Sequence, residues 1–94
     1  MNRIAIAFTA VAALTLTAPA VASEAMAKAD GCLNCHAVDT KKVGPSFKDV
    51  AAKYKGKADA EATLVAKITE GKGHPATKAS KADATSIVKW VLSQ

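Results

Sequence analysis

The sequence predicts an all-α fold, about four short helices in a domain too small to be held by its own core. Three observations predict it. From residue 23 onward, apolar residues recur at helical spacing and no stretch alternates as a strand does. Over the same 72 residues (23–94) large apolar side chains are few and alanines many, and a core of that size is marginal without a staple or a bound group. The third observation is Cys32-Leu33-Asn34-Cys35-His36. Two cysteines three apart, with histidine directly after the second, read as a c-type haem attachment site. In that reading each thiol forms a thioether to one haem vinyl, and His36 turns back to the iron as proximal ligand. A large apolar disc tied to the chain then supplies the missing core. Zinc is a weaker reading, because structural zinc ligands usually come as two spaced pairs. A redox dithiol sits near a βαβ pattern that is absent from the sequence, and a disulfide would close only a very small loop.

The elements follow in chain order. Residues 1–22 have the form of a secretory signal: Asn2-Arg3, an uncharged apolar run from Ile4 to Leu16, and Ala20-Val21-Ala22 before a cut at Ser23. Ala18-Pro19-Ala20 is a second cleavage candidate. The apolar run is shorter than the roughly 20 residues a spanning helix needs, which argues against a retained anchor. A short helix is predicted over 24–31, with Ser23 as N-cap and Glu24 in the first turn. Residues 37–45 form a loop ending in the turn signal Gly44-Pro45. Ser46 caps a helix through about Tyr54, with Phe47, Val50, Ala51 and Tyr54 on one face. Gly56-Lys57 breaks it. Asp59 is predicted to cap a helix over 60–70, with Ala60, Leu64, Val65 and Ile68 apolar, ending at Gly71. Residues 71–75 are loop. Ser80 and Asp83 approach a capping box for a last helix over 81–92, which faces inward through Ala84, Ile87, Trp90 and Val91.

The segment after residue 22 carries twelve lysines and eight acidic residues, a net charge of +4. Lys41, Lys42, Lys48, Lys53, Lys55 and Lys57 cluster just past the haem motif. Such a surface either is simply solvated or steers docking to an acidic partner, raising on-rates in a salt-dependent way. Nucleic acid is a poor partner for an exported chain with no arginine after Arg3.

Gly31, the 32–36 motif, 43–47 (Val-Gly-Pro-Ser-Phe), 49–54 (Asp-Val-Ala-Ala-Lys-Tyr) and the ending 88–94 together resemble a class I cytochrome c of the short bacterial c-551/c-552 group. The resemblance covers essentially all of 23–94. It implies a small cytochrome c fold, one covalent haem c and a periplasmic location. It also implies that the carbonyl of Pro45 accepts from the proximal imidazole of His36, and that Trp90 packs on the haem side of the terminal helix.

The sequence departs from this group at the sixth ligand. The group supplies Met-Pro from a loop before the last helix. Here the only methionine after residue 22 is Met26, six residues before Cys32, where core packing is its natural role. His74-Pro75 stands in the expected loop, making His74 the candidate distal ligand. A five-coordinate or water-bound iron, or a lysine such as Lys78, are the alternatives. Two histidines would give a lower potential than His/Met, since Met ligation raises it. The expected function is one-electron transfer by a small soluble monomer with an acidic redox partner. A haem module for nitric oxide or carbon monoxide, and a cytochrome subunit of a periplasmic oxidoreductase, are the competing readings. No acid–base or nucleophile constellation supports an independent enzyme.

Overall fold

A computed structural model describes residues 19–94. Residues 1–18 of the expected secretory signal lie outside the described residues. The elements are α1 (Pro19–Ala29), a single 3-10 turn (Cys32–Asn34), α2 (Phe47–Tyr54), α3 (Ala60–Glu70) and α4 (Lys81–Leu92). Among the described residues there is no strand.

Helix α4 is the centre, packing against α1, α2 and α3. Its inward residues divide the core in two. Ile87, Trp90 and Val91 meet Ala27 of α1 and Phe47 of α2. Ala84 and Val88 meet Val65 of α3. Met26 packs against the first cluster. Burial of a side chain such as Ile87, only 2% exposed, stabilises by about 1.5–3 kcal/mol. Yet among the described residues no large side chain is completely sealed. The helices form a shell, and their remaining apolar surface faces a cavity.

Two helix starts follow the sequence closely. The Ser46 hydroxyl accepts from the Asp49 N–H at 3.1 Å, and Ser80 does the same for Asp83 at 3.2 Å. In both, the capping residue is extended, as side-chain capping requires. Two other starts differ from expectation. Helix α1 begins at Pro19, so Ser23 lies inside it, 7% exposed, and is not its cap. Alanine is the strongest helix former, and the alanine-rich run 20–29 carries the helix through Ser23. Proline suits a first helical position, where its missing N–H would find no partner anyway. Asp59 makes no side-chain cap, because its backbone (φ −96, ψ 4) is already turned rather than extended. The chain enters α3 through consecutive turns, with the Lys57 N–H on the Tyr54 carbonyl and the Ala60 N–H on the Lys57 carbonyl. Helix α1 also stops at Ala29, two residues early, and Gly31 (φ 83) redirects the chain into the cysteine turn.

Candidate haem site

The cavity holds about 690 Å³ and is bounded by α2, α3, α4, the cysteine turn and the loops 43–45 and 73–78. Its walls are mainly apolar, with Val50, Leu64, Ile68, Ile87, Val88 and Val91 contributing. Cys32, Cys35, His36, Pro45 and His74 all line it.

His36 is held from several sides. Its backbone N–H donates to the Cys32 carbonyl at 3.0 Å, closing the motif into a turn. Its Nδ1 lies 2.6 Å from the Pro45 carbonyl. A carbonyl only accepts, so Nδ1 is the donor here, and in the neutral ring this tautomer leaves the Nε2 lone pair available. Phe47 stacks on the ring at 5.2 Å between centroids. Gly44 lies against the ring face, where a Cβ would come within 2.8 Å of Nδ1 and 2.9 Å of Nε2. The loop carrying Gly44 and Pro45 is fixed to the motif in turn. The Gly44 N–H donates to the Cys35 carbonyl at 2.7 Å, and the Lys42 ammonium donates to the Leu33 carbonyl at 3.1 Å.

His74 faces His36. The two ring centroids are 6.0 Å apart and the ring planes differ by 4°. His74 Nδ1 lies 2.7 Å from the Pro75 carbonyl, so by the same argument its Nε2 is free. The strap bearing it leaves α3 at Gly71 (φ 72). It is closed at Thr77, whose N–H and hydroxyl both donate to the Ile68 carbonyl, at 2.8 and 3.1 Å.

Burial, and secondarily the charge of Asp30, pushes the Cys32 thiol up. The thiolate is the reactive form, so this environment opposes the redox-dithiol reading. Cys32 and Cys35 are not joined to each other in a disulfide. Among the described residues no group of three or more His, Cys, Asp or Glu side chains is placed to hold a metal ion.

Trp90 stands one layer behind the cavity wall, in the core cluster of α4. It does not line the cavity. It meets Phe47 edge-on, centroids 5.3 Å apart, and Phe47 makes the cavity contact. Three features went unread in the sequence. Gly44 was visible only as a turn residue. The Lys67 ammonium donates to the Tyr54 hydroxyl at 3.3 Å inside the cavity lining; its signal was a lysine between Leu64 and Ile68 on the apolar face of α3. The Thr77 clasp left no signal.

The residues present fit a haem: an apolar slot with adjacent thiols at one edge and two imidazoles lining it with near-parallel planes. The family profile described as Cytochrome c matches residues 20–94. The chain belongs to the cytochrome c family. It is 46% identical over 78 residues to cytochrome c-551 of Pseudomonas aeruginosa, covering 76% of this chain and 75% of that one. Cytochrome c-552 of Hydrogenobacter thermophilus is 38% identical over 93 residues, covering 92% and 95%. The crystal structure of wild-type Nitrosomonas europaea cytochrome c552 superposes with a TM-score of 0.66 at 40% identity, covering 74% of this chain and 96% of that one. This cytochrome c therefore carries one covalent haem c and is a haem-based electron carrier. No helix among its described residues is long and apolar enough to cross a membrane.

Proposed function

We propose that this cytochrome is a periplasmic one-electron carrier of low potential, with His36 and His74 as the axial ligands. The observation that carries the reading is the facing pair of imidazoles. A centroid separation of 6.0 Å is close to what two metal–imidazole bonds of about 2 Å each, plus the inner halves of two five-membered rings, occupy. Both Nδ1 atoms are engaged by proline carbonyls, which leaves both Nε2 atoms to ligate.

Bound haem supplies one iron that cycles between ferrous and ferric. The chain does the rest. Cys32 and Cys35 are the thioether anchors. Pro45 orients His36, and Trp90 acts one layer back by bracing Phe47. Lys53, Lys67 and Tyr54 form the polar corner of the cavity, suited to the haem carboxylates. Val43, 82% exposed, stands at the cavity mouth beside the exposed Lys41 and Lys42. An apolar contact rimmed by lysines fits an acidic redox partner, with docking weakened by salt. The secretory pattern of residues 1–22 is what supports export and cleavage before Ser23.

The test is a visible spectrum of the haem-loaded protein, oxidised, reduced, and reduced with carbon monoxide, with His74→Met beside it. The expected result is a low-spin reduced spectrum untouched by carbon monoxide, and a higher potential in the variant. Rapid carbon monoxide binding by the wild-type protein would make small-ligand binding the better reading. A potential unchanged in His74→Met would remove His74 as the ligand.

A further inference from the structure

We propose that Pro75 is a positioning residue that sets the rotation of the distal imidazole, so that the two axial ring planes lie parallel and the ferric iron has a rhombic low-spin signature. The inference rests on the axial role proposed for His74 and goes beyond it. Ligation alone leaves a ring free to turn about its metal–nitrogen bond. What fixes the turn is whatever holds the other nitrogen.

Here both turns are fixed. On one side His36 Nδ1 is 2.6 Å from the Pro45 carbonyl, in a loop tied back to the motif. On the other, His74 Nδ1 is 2.7 Å from the carbonyl of the very next residue. That residue is proline, so its φ is locked near −65° and the residue before it is confined to extended backbone. The His74 ring and its acceptor therefore keep a narrow mutual orientation. With the strap seated by Thr77 on Ile68, the planes come out 4° apart.

The electronic consequence follows from orbital symmetry. Each imidazole donates π density through the p orbitals normal to its ring. Parallel rings raise the same iron dπ orbital, so the two dπ levels split widely and the ferric signal shows three resolved g values. Crossed rings raise both orbitals alike, leave them nearly degenerate, and give one extreme low-field line.

The experiment is electron paramagnetic resonance of the frozen ferric holoprotein, with the spread of haem-methyl proton shifts in solution as a second readout of the same splitting. Wild-type protein, Pro75→Ala, His74→Ala and Lys78→Ala are compared. A resolved rhombic signal in the wild type supports parallel planes. In Pro75→Ala the carbonyl and the ligand remain but φ is released, so the largest g value should shift upward and broaden while the iron stays low-spin. A single extreme low-field line in the wild type would overturn parallel planes while leaving two-histidine ligation standing. An identical rhombic signal in Pro75→Ala would remove Pro75 as the positioning residue. A high-spin wild type, or a low-spin signal lost in Lys78→Ala and kept in His74→Ala, would bring down the His74 reading itself.

Discussion

The two faces of the cavity hold their histidines by different means. His36 is fixed by groups from elsewhere in the chain: the Pro45 carbonyl, the Gly44 backbone against its face, and the Phe47 ring. Those groups are themselves anchored, Phe47 by Trp90 and the loop by bonds to Cys35 and Leu33. Among the described residues His74 bonds to its neighbour alone, on a strap clasped at Thr77. The lesson is that equal bond lengths at two nitrogens do not mean equal rigidity. An acceptor nine residues away resists motion of the whole loop. An acceptor one residue away fixes the ring on its strap, but moves with that strap when the seat of Thr77 on Ile68 gives way.

That contrast can be broken most severely at Gly44. In Gly44→Val the new side chain must enter the space of the imidazole. We expect a loss of about 1–3 kcal/mol, typical of overpacking, together with partial conversion to a high-spin spectrum. Urea unfolding followed by visible absorption checks both, and a variant with wild-type midpoint and spectrum would show that the close approach is unimportant. Thr77→Val sharpens the other side. It removes both hydroxyl bonds, the one donated to the Ile68 carbonyl and the one accepted from the Ala79 N–H, but keeps the backbone bond, at a cost of about 1–3 kcal/mol. The expected signature is carbon monoxide binding by the reduced variant where wild type shows none, with Thr77→Ser restoring the wild-type inertness; no binding in any of the three would deny the clasp a role. The smallest effect belongs to Asp39→Asn. Its ion pair with Lys48, at 2.6 Å, has both side chains more than half exposed, and such pairs contribute about 0–1 kcal/mol. A thermal midpoint within error of wild type is expected, and a drop of several degrees would mean that the proximal loop depends on that pair.

How much of this was legible depends on how far each interaction reaches along the chain. Ser46 and Ser80 announce their helices because a cap spans only three residues. The C-x-x-C-H motif is equally local. Asp59 misled because its cap depends on backbone that the preceding turns had already bent. Ser23 misled because a capping residue type says nothing against a helix that alanines carry past it. Gly44 and His36 are eight residues apart, and nothing in a Gly-Pro turn signal says that an imidazole lies on the glycine. The Lys67–Tyr54 bond spans two helices. Trp90 was readable as apolar and inward, but not as standing behind Phe47, because that order depends on how α2 seats on α4. His74 stood out only because the resemblance left a methionine missing from its place.

Finally, the packing of α1 on α4 bears on how the chain reaches its native state. Ala27 meets Ile87, Trp90 and Val91, so the first and last helices must find each other across about sixty intervening residues, at a closure cost near 3–4 kcal/mol on the logarithmic scaling with loop length. Contacts so distant in sequence slow folding, because the entropy is lost before the contact repays it. The cysteine turn begins three residues after α1 ends. An apolar disc fixed there gives α4 a broad target beside its eventual partner, in place of a search for a single alanine-lined helix. Attachment chemistry and folding rate would then be linked through the same group.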